Sequence, residues 1–214
     1  SQPAGPDFLP RCQVVPDGDQ LPGTAHIAMA DNSIHTPVLL ERTLELLGPA
    51  LEHEGAVLVD ATLGMAGHTE AFLERYPTLT VVGIDRDPDA LAIARERLAP
   101  YGARVHLVHA VYDGILSVLS ELGIDRVSGV LFDLGVSSLQ LDRVERGFSY
   151  SKDAPLDMRM DSTGERTAAA ILATYSESEL RRIFYEYGDE KLAPRFASRI
   201  VQSRDTTPLV SSAQ

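Results

Sequence analysis

Residues 56–68 read AVLVDATLGMAGH, and this stretch decides the fold. Its first five residues form a short apolar run that ends in an acid, which is typical of a strand buried on both faces. A glycine-containing loop follows, and residues 69–76 have the pattern of a helix. A strand, a loop and a helix in this order predict one unit of a parallel sheet with crossover helices.

The same alternation continues along the chain. Apolar runs predict strands over 80–85, 105–108 and 129–133, and helical patterns predict helices over 88–98 and 115–122. We therefore expect an α/β fold with a doubly wound, mostly parallel sheet. In a nucleotide-binding sheet of this kind the first strand is central, the second and third lie on one side of it, and the fourth lies on the other.

Acidic residues end three of the predicted strands. Asp60, Asp85 and Asp133 should converge on one crevice, because ligands of such sheets bind beyond the carboxyl ends of the strands. Asp85 follows the loop glycines by about 20 residues, a spacing that suits hydrogen bonds to a ribose diol; a helix-capping role is the alternative. Asp60 directly precedes the loop, which does not read G-x-G-x-x-G, and suits a cationic ligand better than a pyrophosphate.

Two further features point to the same crevice. Residues 133–138 read DLGVSS, an acid at a strand end followed by a polar turn with a glycine. The carboxylate of Asp133 therefore either lies beside a bound ligand or caps the turn. Tyr112 follows the third strand, where its ring either stacks on an adenine or belongs to the core.

Composition narrows the class of protein. The 214 residues carry a net charge of −12, and Cys12, the single cysteine, cannot form an internal disulfide. No apolar run approaches the roughly 18 residues of a membrane span, and low cysteine content is usual in a reducing compartment. The sequence therefore predicts a cytoplasmic protein without membrane association. Six histidines are present, but none of the acidic, His and Cys residues has metal-ligand spacing, so no metal site is expected.

Charge and pattern divide the chain into three parts. Residues 1–30, with one basic and three acidic side chains, are rich in Pro, Gly, Asp and Gln and predict a flexible leader. Residues 31–138 hold the strand–helix alternation, with seven basic and sixteen acidic side chains. Residues 139–214, with eleven basic and twelve acidic side chains, predict a mostly helical module. A polyanionic partner would meet the least repulsion there.

The helices outside the alternation can also be located. Thr36 is expected to cap the first helix with Pro37 at its first position, and Gly48-Pro49 is expected to end it. Ser176 with Glu179 forms the pattern of a capping box. The helices of the last part are expected near 165–174, 177–187 and 189–203.

Seven short stretches carry a further signal. They are HTPVLL at 35–40, DATLGMAGH at 60–68, GIDRDP at 83–88, DLGVSS at 133–138, QLD at 140–142, ERGFS at 145–149 and PLDMRM at 155–160. They stand in unbroken order, and the last two are the most specific. Together they resemble the bacterial 16S ribosomal RNA cytidine N4-methyltransferase family.

The resemblance implies a fold of the class I methyltransferase (Rossmann-like) type with a helical insertion module for substrate recognition. It implies an enzyme that transfers a methyl group from S-adenosylmethionine to the exocyclic N4 of a cytidine in 16S rRNA of the small ribosomal subunit. It also implies cofactor contacts at Ala66, Gly67, His68, Asp85, Tyr112, Asp133 and Gln140. Asp133 is the candidate catalytic residue, acting either on the cytosine amine or only as a cofactor ligand.

The sequence departs from the family pattern at several points. Ala66 stands where the family usually has glycine, and its methyl group should be tolerated if the backbone φ there is negative. Tyr112 stands where other members have phenylalanine, which keeps the ring. Family members also extend well beyond residue 214, with further basic motifs and the last strands of the sheet.

The RNA contacts have two interpretations. The basic residues after Asp133 would hold phosphates that flank the target nucleotide, or would pair with acidic neighbours on a solvated surface. These basic residues are Arg143, Arg146, Lys152 and Arg159, and the acidic neighbours are Asp142, Glu145, Asp153 and Asp157.

The sequence also allows two functions other than methyl transfer. One is an rRNA-binding assembly factor that binds the cofactor without turnover. Another is a nicotinamide-dependent oxidoreductase, against which the absence of G-x-G-x-x-G counts. Finally, the strand at 129–133 would have a free edge, which predicts either a homodimer or a helical module folded over that edge.

Overall fold

The computed structural model describes residues 13–14 and 37–214. Its strands are β1 (Gln13–Val14), β2 (Val57–Asp60), β3 (Thr80–Asp85), β4 (Val105–His109) and β5 (Gly129–Leu131). Its α-helices are α1 (Leu40–Leu51), α2 (Gly67–Arg75), α3 (Pro88–Leu98), α4 (Ile115–Glu121), α5 (Ser138–Asp142), α6 (Ala168–Thr174), α7 (Glu177–Glu186) and α8 (Ala193–Ser203). Apart from residues 13–14, the predicted leader and the predicted cap at Thr36 lie outside the described residues.

The sheet has the order β1-β4-β3-β2-β5. Strand β2 is flanked by β3 and β5, both parallel to it, and β4 runs parallel to β3 on the far side. Strand β1 is the exception and pairs antiparallel with β4. The expected order of the four parallel strands is confirmed, and so is the α/β, doubly wound, mostly parallel fold.

The strands are apolar because both of their faces are covered. Leu58 of β2 packs with Phe72 and Leu73 of α2 on one face of the sheet. Val59, the next residue, packs on the other face with Val118 of α4. Successive side chains of a strand point to opposite faces, so a strand between two helical layers needs an unbroken apolar run.

The first helix begins later and ends later than the sequence predicts. Leu39 adopts a left-handed backbone conformation with φ of 52°, so the right-handed helix cannot extend back through it to Pro37, and α1 begins at Leu40. Pro49 lies inside α1, which continues to Leu51. Pro49 has no N–H to donate to the carbonyl of Glu45, so α1 lacks that backbone hydrogen bond.

The chain divides into two compact units, residues 1–134 and 135–214. The second unit contains α5 to α8, and three of these helices match the predicted helical segments to within a few residues. Ser176 and Glu179 form the expected capping box of α7. Helix α5 was not expected, although Ser137 and Gln140 give it the same type of cap. The assignment of separate roles to the two units stays a prediction.

Within the described residues, no helix is both long enough and apolar enough to cross a membrane.

Candidate active site

Asp85 holds the loop between β2 and α2. The backbone N–H of Gly64 donates to one carboxylate oxygen of Asp85 at 2.7 Å, and the N–H of Asp87 donates to the other at 2.8 Å. Partial burial raises the pKa of Asp85, while these backbone donors act in the opposite direction. A carboxylate has about four acceptor positions, and the backbone N–H groups of Gly64, Asp87 and Arg86 act on Asp85. Asp85 can therefore hold the loop and still accept a hydrogen bond from a hydroxyl group.

Asp85 does not cap helix α3, because another residue takes that role. Asp87 is the N-cap of α3, and its side chain accepts a hydrogen bond from the N–H of Asp89 at 3.1 Å. Asp85 instead stabilises the turn that leads to this cap. The expected ribose contact of Asp85 stays a prediction, and its carboxylate has the acceptor capacity that this contact needs.

Asp60 is an internal anchor of the same loop. It is 1% exposed, and its carboxylate accepts hydrogen bonds from the Thr69 hydroxyl at 2.7 Å and the Thr62 N–H at 3.3 Å. Desolvation by burial raises the pKa of Asp60 to about 6, against the lowering effect of these donors. The interpretation of Asp60 as a group for a cationic ligand is therefore wrong for this structure, because its carboxylate faces the protein interior.

Ala66 adopts the conformation that its family counterpart glycine would permit. Its φ is 65°, so the condition under which the methyl group should be tolerated, a negative φ, is not met. Alanine in this region costs roughly 1–2 kcal/mol. Ala66 is fully buried. Its N–H donates a hydrogen bond to the carbonyl of Leu63, and its carbonyl accepts one from the N–H of Glu70. A direct cofactor contact of Ala66 would require the loop to move, and it stays a prediction.

The start of α2 contains the next two predicted contacts. Gly67 is the first residue of the helix, and a β-carbon there would lie 2.6 Å from Cγ of Pro37. His68 is buried, and its Nε2 lies 3.0 Å from the carbonyl oxygen of Val38. The segment at 37–38 therefore packs closely against the start of α2. The cofactor roles of Gly67 and His68 stay predictions.

Tyr112 meets an aromatic residue that the sequence analysis did not assign to the site. Its ring lies 5.8 Å from the ring of Phe132 in an edge-to-face arrangement, and the two residues are 44% and 47% exposed. Tyr112 follows β4 and Phe132 follows β5, so their contact spans the carboxyl edge of the two strands between them. The core alternative for Tyr112 is thus excluded. The sequence signal for Phe132 is its position directly before Asp133, at the end of a predicted strand.

Asp133 is exposed and is anchored through its backbone. Its N–H donates to Oγ1 of Thr62 at 2.7 Å. Among the described residues its carboxylate makes no hydrogen bond or ion pair. Asp85 and Asp133 are therefore both attached to the loop at 62–64 at the carboxyl edge of the sheet. This is the convergence that the sequence predicts for these two residues.

Gln140 belongs to the second unit. It is 5% exposed, and its side-chain oxygen accepts the N–H of Ser137 at 3.1 Å in the cap of α5. Ser137 and Gln140 have the same sequence spacing as the capping box of Ser176 and Glu179, and this spacing is the sequence signal for α5. The cofactor contact of Gln140 stays a prediction.

Three of the four basic residues proposed for phosphate contacts, Arg143, Arg146 and Arg159, have partners within the described residues. Arg146 is 6% exposed and donates to the carbonyls of Arg159 and Met160, both at 2.9 Å. The guanidinium of Arg159 pairs with Asp157 at 2.6 Å and donates to the carbonyl of Gly164 at 2.6 Å. The prediction that Arg146 and Arg159 bind phosphates is therefore wrong for this structure. The alternative, pairing with an acidic neighbour, is confirmed for Arg159. Lys152 is exposed.

The described part of the chain contains no group of three or more His, Cys, Asp or Glu residues that could hold a metal ion.

Comparison with known proteins gives a consistent result. A model of the MraW methylase family matches residues 32–214. "Ribosomal RNA small subunit methyltransferase H" of Clavibacter sepedonicus is 73% identical over 186 residues, which cover 87% of this chain and 58% of that protein. The protein of the same name from Leifsonia xyli subsp. xyli is 67% identical over 181 residues, covering 85% and 56%. The chain thus spans somewhat more than half the length of these relatives.

Among solved structures, an rRNA methylase from Streptococcus thermophilus matches with 24% identity and a TM-score of 0.36, covering 60% of this chain and 72% of that chain. The fold described above rests on the strand order and register of the sheet.

Proposed function

The chain belongs to the MraW methylase family, and from this premise we propose that the whole protein transfers a methyl group from S-adenosylmethionine to the exocyclic N4 of a cytidine in 16S rRNA. The doubly wound sheet is the class I methyltransferase type of fold. The observation that carries the proposal is the attachment of both Asp85 and Asp133 to one loop, at the edge of the sheet where such folds bind ligands.

The donor set of this edge fits S-adenosylmethionine. Asp85 keeps an acceptor position for a ribose hydroxyl, and Tyr112 presents an exposed ring for the adenine. Gly67 begins α2, whose first N–H groups suit the carboxylate of the methionine part. When bound, the cofactor supplies an electrophilic methyl group on a sulfonium sulfur.

Asp133 is the residue proposed to act on the target amine. The lone pair of an exocyclic cytosine amine is delocalised into the ring, so the amine is a weak nucleophile. A carboxylate that accepts one amine N–H localises this lone pair and receives the proton as the N–C bond forms and the S–C bond breaks. The exposure of Asp133 and the hydrogen bond of its backbone N–H to Thr62 support this role. The target base must leave its stack to reach such a site.

The partners follow from the reaction. We propose the small ribosomal subunit or its 16S rRNA as substrate, and hence the bacterial cytoplasm as location. Residues 31–138 are proposed to bind the cofactor and residues 139–214 to recognise the substrate.

Thermal-shift measurements on this chain with S-adenosylmethionine, S-adenosylhomocysteine and NAD test the cofactor. Both adenosyl compounds should raise the melting temperature, because a ligand that binds the folded state stabilises it. A shift with NAD alone would instead support an oxidoreductase. A methyl-transfer assay on small ribosomal subunits, with the whole protein and with this chain, then separates an enzyme from a factor that binds without turnover.

A further inference from the structure

Helix α8 is basic in an acidic chain, and two acidic residues, Asp189 and Glu190, directly precede Lys191. Residues 191–204 include Lys191, Arg195, Arg199 and Arg204 and no acidic residue, whereas the whole chain has a net charge of −12. A cluster of one sign of charge on a surface attracts partners of the opposite sign. Residues 191–204 therefore attract a polyanionic partner more strongly than the rest of the chain does.

Packing within the second unit fixes which side of α8 is available. Ala193 and Ala197, which lie one turn apart, are fully buried. Arg204 continues this side and donates to the carbonyl of Tyr175 at 2.6 Å. Arg195 and Arg199 are also one turn apart, but they lie on the opposite side of the helix and are exposed.

Arg195 and Arg199 differ from several other arginines of the second unit. Among the described residues neither of them forms an ion pair or a side-chain hydrogen bond. In contrast, Nη1 of Arg182 lies 3.6 Å from Oε2 of Glu186, and Arg159 forms an ion pair with Asp157. The guanidinium groups of Arg195 and Arg199 can therefore bind phosphates without breaking an internal pair.

An aromatic side chain stands between these two arginines. Phe196 is 47% exposed, and it neighbours Arg199 on the helix surface because the two are three positions apart. Leu192, one turn before Phe196, is 51% exposed. A half-exposed ring beside free cations is the combination that binds single-stranded nucleic acids, in which bases stack on rings and phosphates meet cations.

We infer that the outer face of α8, formed by Leu192, Arg195, Phe196 and Arg199, binds single-stranded RNA. The inference rests on the proposed function, which makes the partner an RNA. The exposed ring favours a single strand over a duplex, because base faces are accessible to a side chain only where they are not stacked in a helix.

Fluorescence anisotropy with a labelled oligocytidylate of about twelve nucleotides tests the surface on the present chain. Replacing both arginines by glutamine should lower the slope of log affinity against log salt by up to about 1.4, since each lost phosphate contact on a single strand contributes about 0.7. Phe196→Ala should weaken binding by about tenfold, and Phe196→Tyr, which keeps the ring, should restore most of it.

The matched control is Arg75→Gln combined with Arg126→Gln, two exposed arginines of the first unit. This control has the same change in net charge and should leave both affinity and salt slope close to wild type. Equal losses in the control and in the Arg195/Arg199 variant would overturn the inference, and so would the absence of measurable binding by the wild-type chain.

Calorimetric titration with S-adenosylmethionine separates this inference from the proposed function. The α8 variants should bind the cofactor as the wild type does. A wild-type chain that binds the oligocytidylate through α8 but does not bind S-adenosylmethionine would contradict the proposed function and leave the RNA surface standing.

Discussion

The hydroxyl oxygen of Thr62 accepts a hydrogen bond from the backbone N–H of Asp133 at 2.7 Å. These residues are far apart in sequence, and they meet because β2 and β5 are parallel neighbours whose carboxyl ends lie side by side. The N–H of Thr62 donates in turn to the buried Asp60. One threonine thus links the loop after β2 to the turn that presents the candidate catalytic carboxylate.

Thr62→Val keeps the shape of residue 62 and removes the acceptor for Asp133. A hydrogen bond of this kind contributes about 1 kcal/mol, so the Asp133 amide should exchange with solvent roughly fivefold faster, as measured by NMR. Thr62→Ser keeps the hydroxyl and serves as the control, with exchange close to wild type. Equal exchange rates in the valine and serine variants would show that the bond does not hold the turn.

Asp85→Ala should weaken binding of S-adenosylmethionine by about ten- to a hundredfold, because charge-assisted hydrogen bonds contribute about 1.5–3 kcal/mol. Calorimetric titration of the cofactor measures this directly. Asp125→Ala, which removes an exposed acid elsewhere in the first unit, should bind normally. If Asp85→Ala is folded and binds with wild-type affinity, Asp85 is not part of the cofactor site.

Asp60 should make stability depend on pH between about 4 and 6. Burial raises its pKa from 3.8 to about 6, so the folded chain binds a proton that the unfolded chain has released. The contribution of Asp60 to the free energy of unfolding is therefore largest below pH 4 and falls as pH rises to 6. The total change is about 3 kcal/mol.

Urea unfolding of the wild type and of Asp60→Asn at a series of pH values measures this contribution. The free-energy difference between the two proteins should change by about 3 kcal/mol across the window. Asp125→Asn, at an exposed position, should give a curve parallel to that of the wild type. A parallel curve for Asp60→Asn as well would show that Asp60 does not titrate in this range.

Gly147→Ala should strongly destabilise the second unit. Gly147 has φ of +71°, and a β-carbon there would collide with the backbone carbonyl oxygen of Pro155. The backbone strain and the overlap together should cost about 3 kcal/mol. Gly123→Ala has a similar φ of +67° in open space and isolates the strain. Thermal unfolding followed by circular dichroism should show a clearly larger loss at Gly147 than at Gly123.

Strand β5 should promote self-association. Among the described residues it has a strand partner on one side only, and Val130 and Phe132 are 38% and 47% exposed. An apolar strand with an unpaired edge tends to pair with another chain. Sedimentation velocity should show association that increases with concentration and that Val130→Lys reduces. A wild-type chain that stays monomeric at high concentration would contradict the prediction.

The sequence by itself determined the parallel part of the sheet, but not β1, which lies in the segment predicted to be a flexible leader. The apolar runs at β2, β3, β4 and β5 predict strands, and the helices between them favour a parallel order. Strands β2 and β3 are largely buried, as an apolar run between two helical layers predicts. Asp85 and Asp133 could be placed at the carboxyl edge for the same reason. The seven motifs along the chain together carried the family resemblance, and those at 145–149 and 155–160 are the most specific.

Tertiary structure decided what each polar group does. Asp60 and Asp85 both end buried strands, yet one carboxylate faces the interior and the other holds the loop at Gly64. Arg146 and Arg195 are both arginines of the second unit, yet the first is buried against backbone carbonyls and the second is exposed. Apolar periodicity depends on local spacing and can be read along the chain. The partner of a charged side chain depends on which distant segments fold against it.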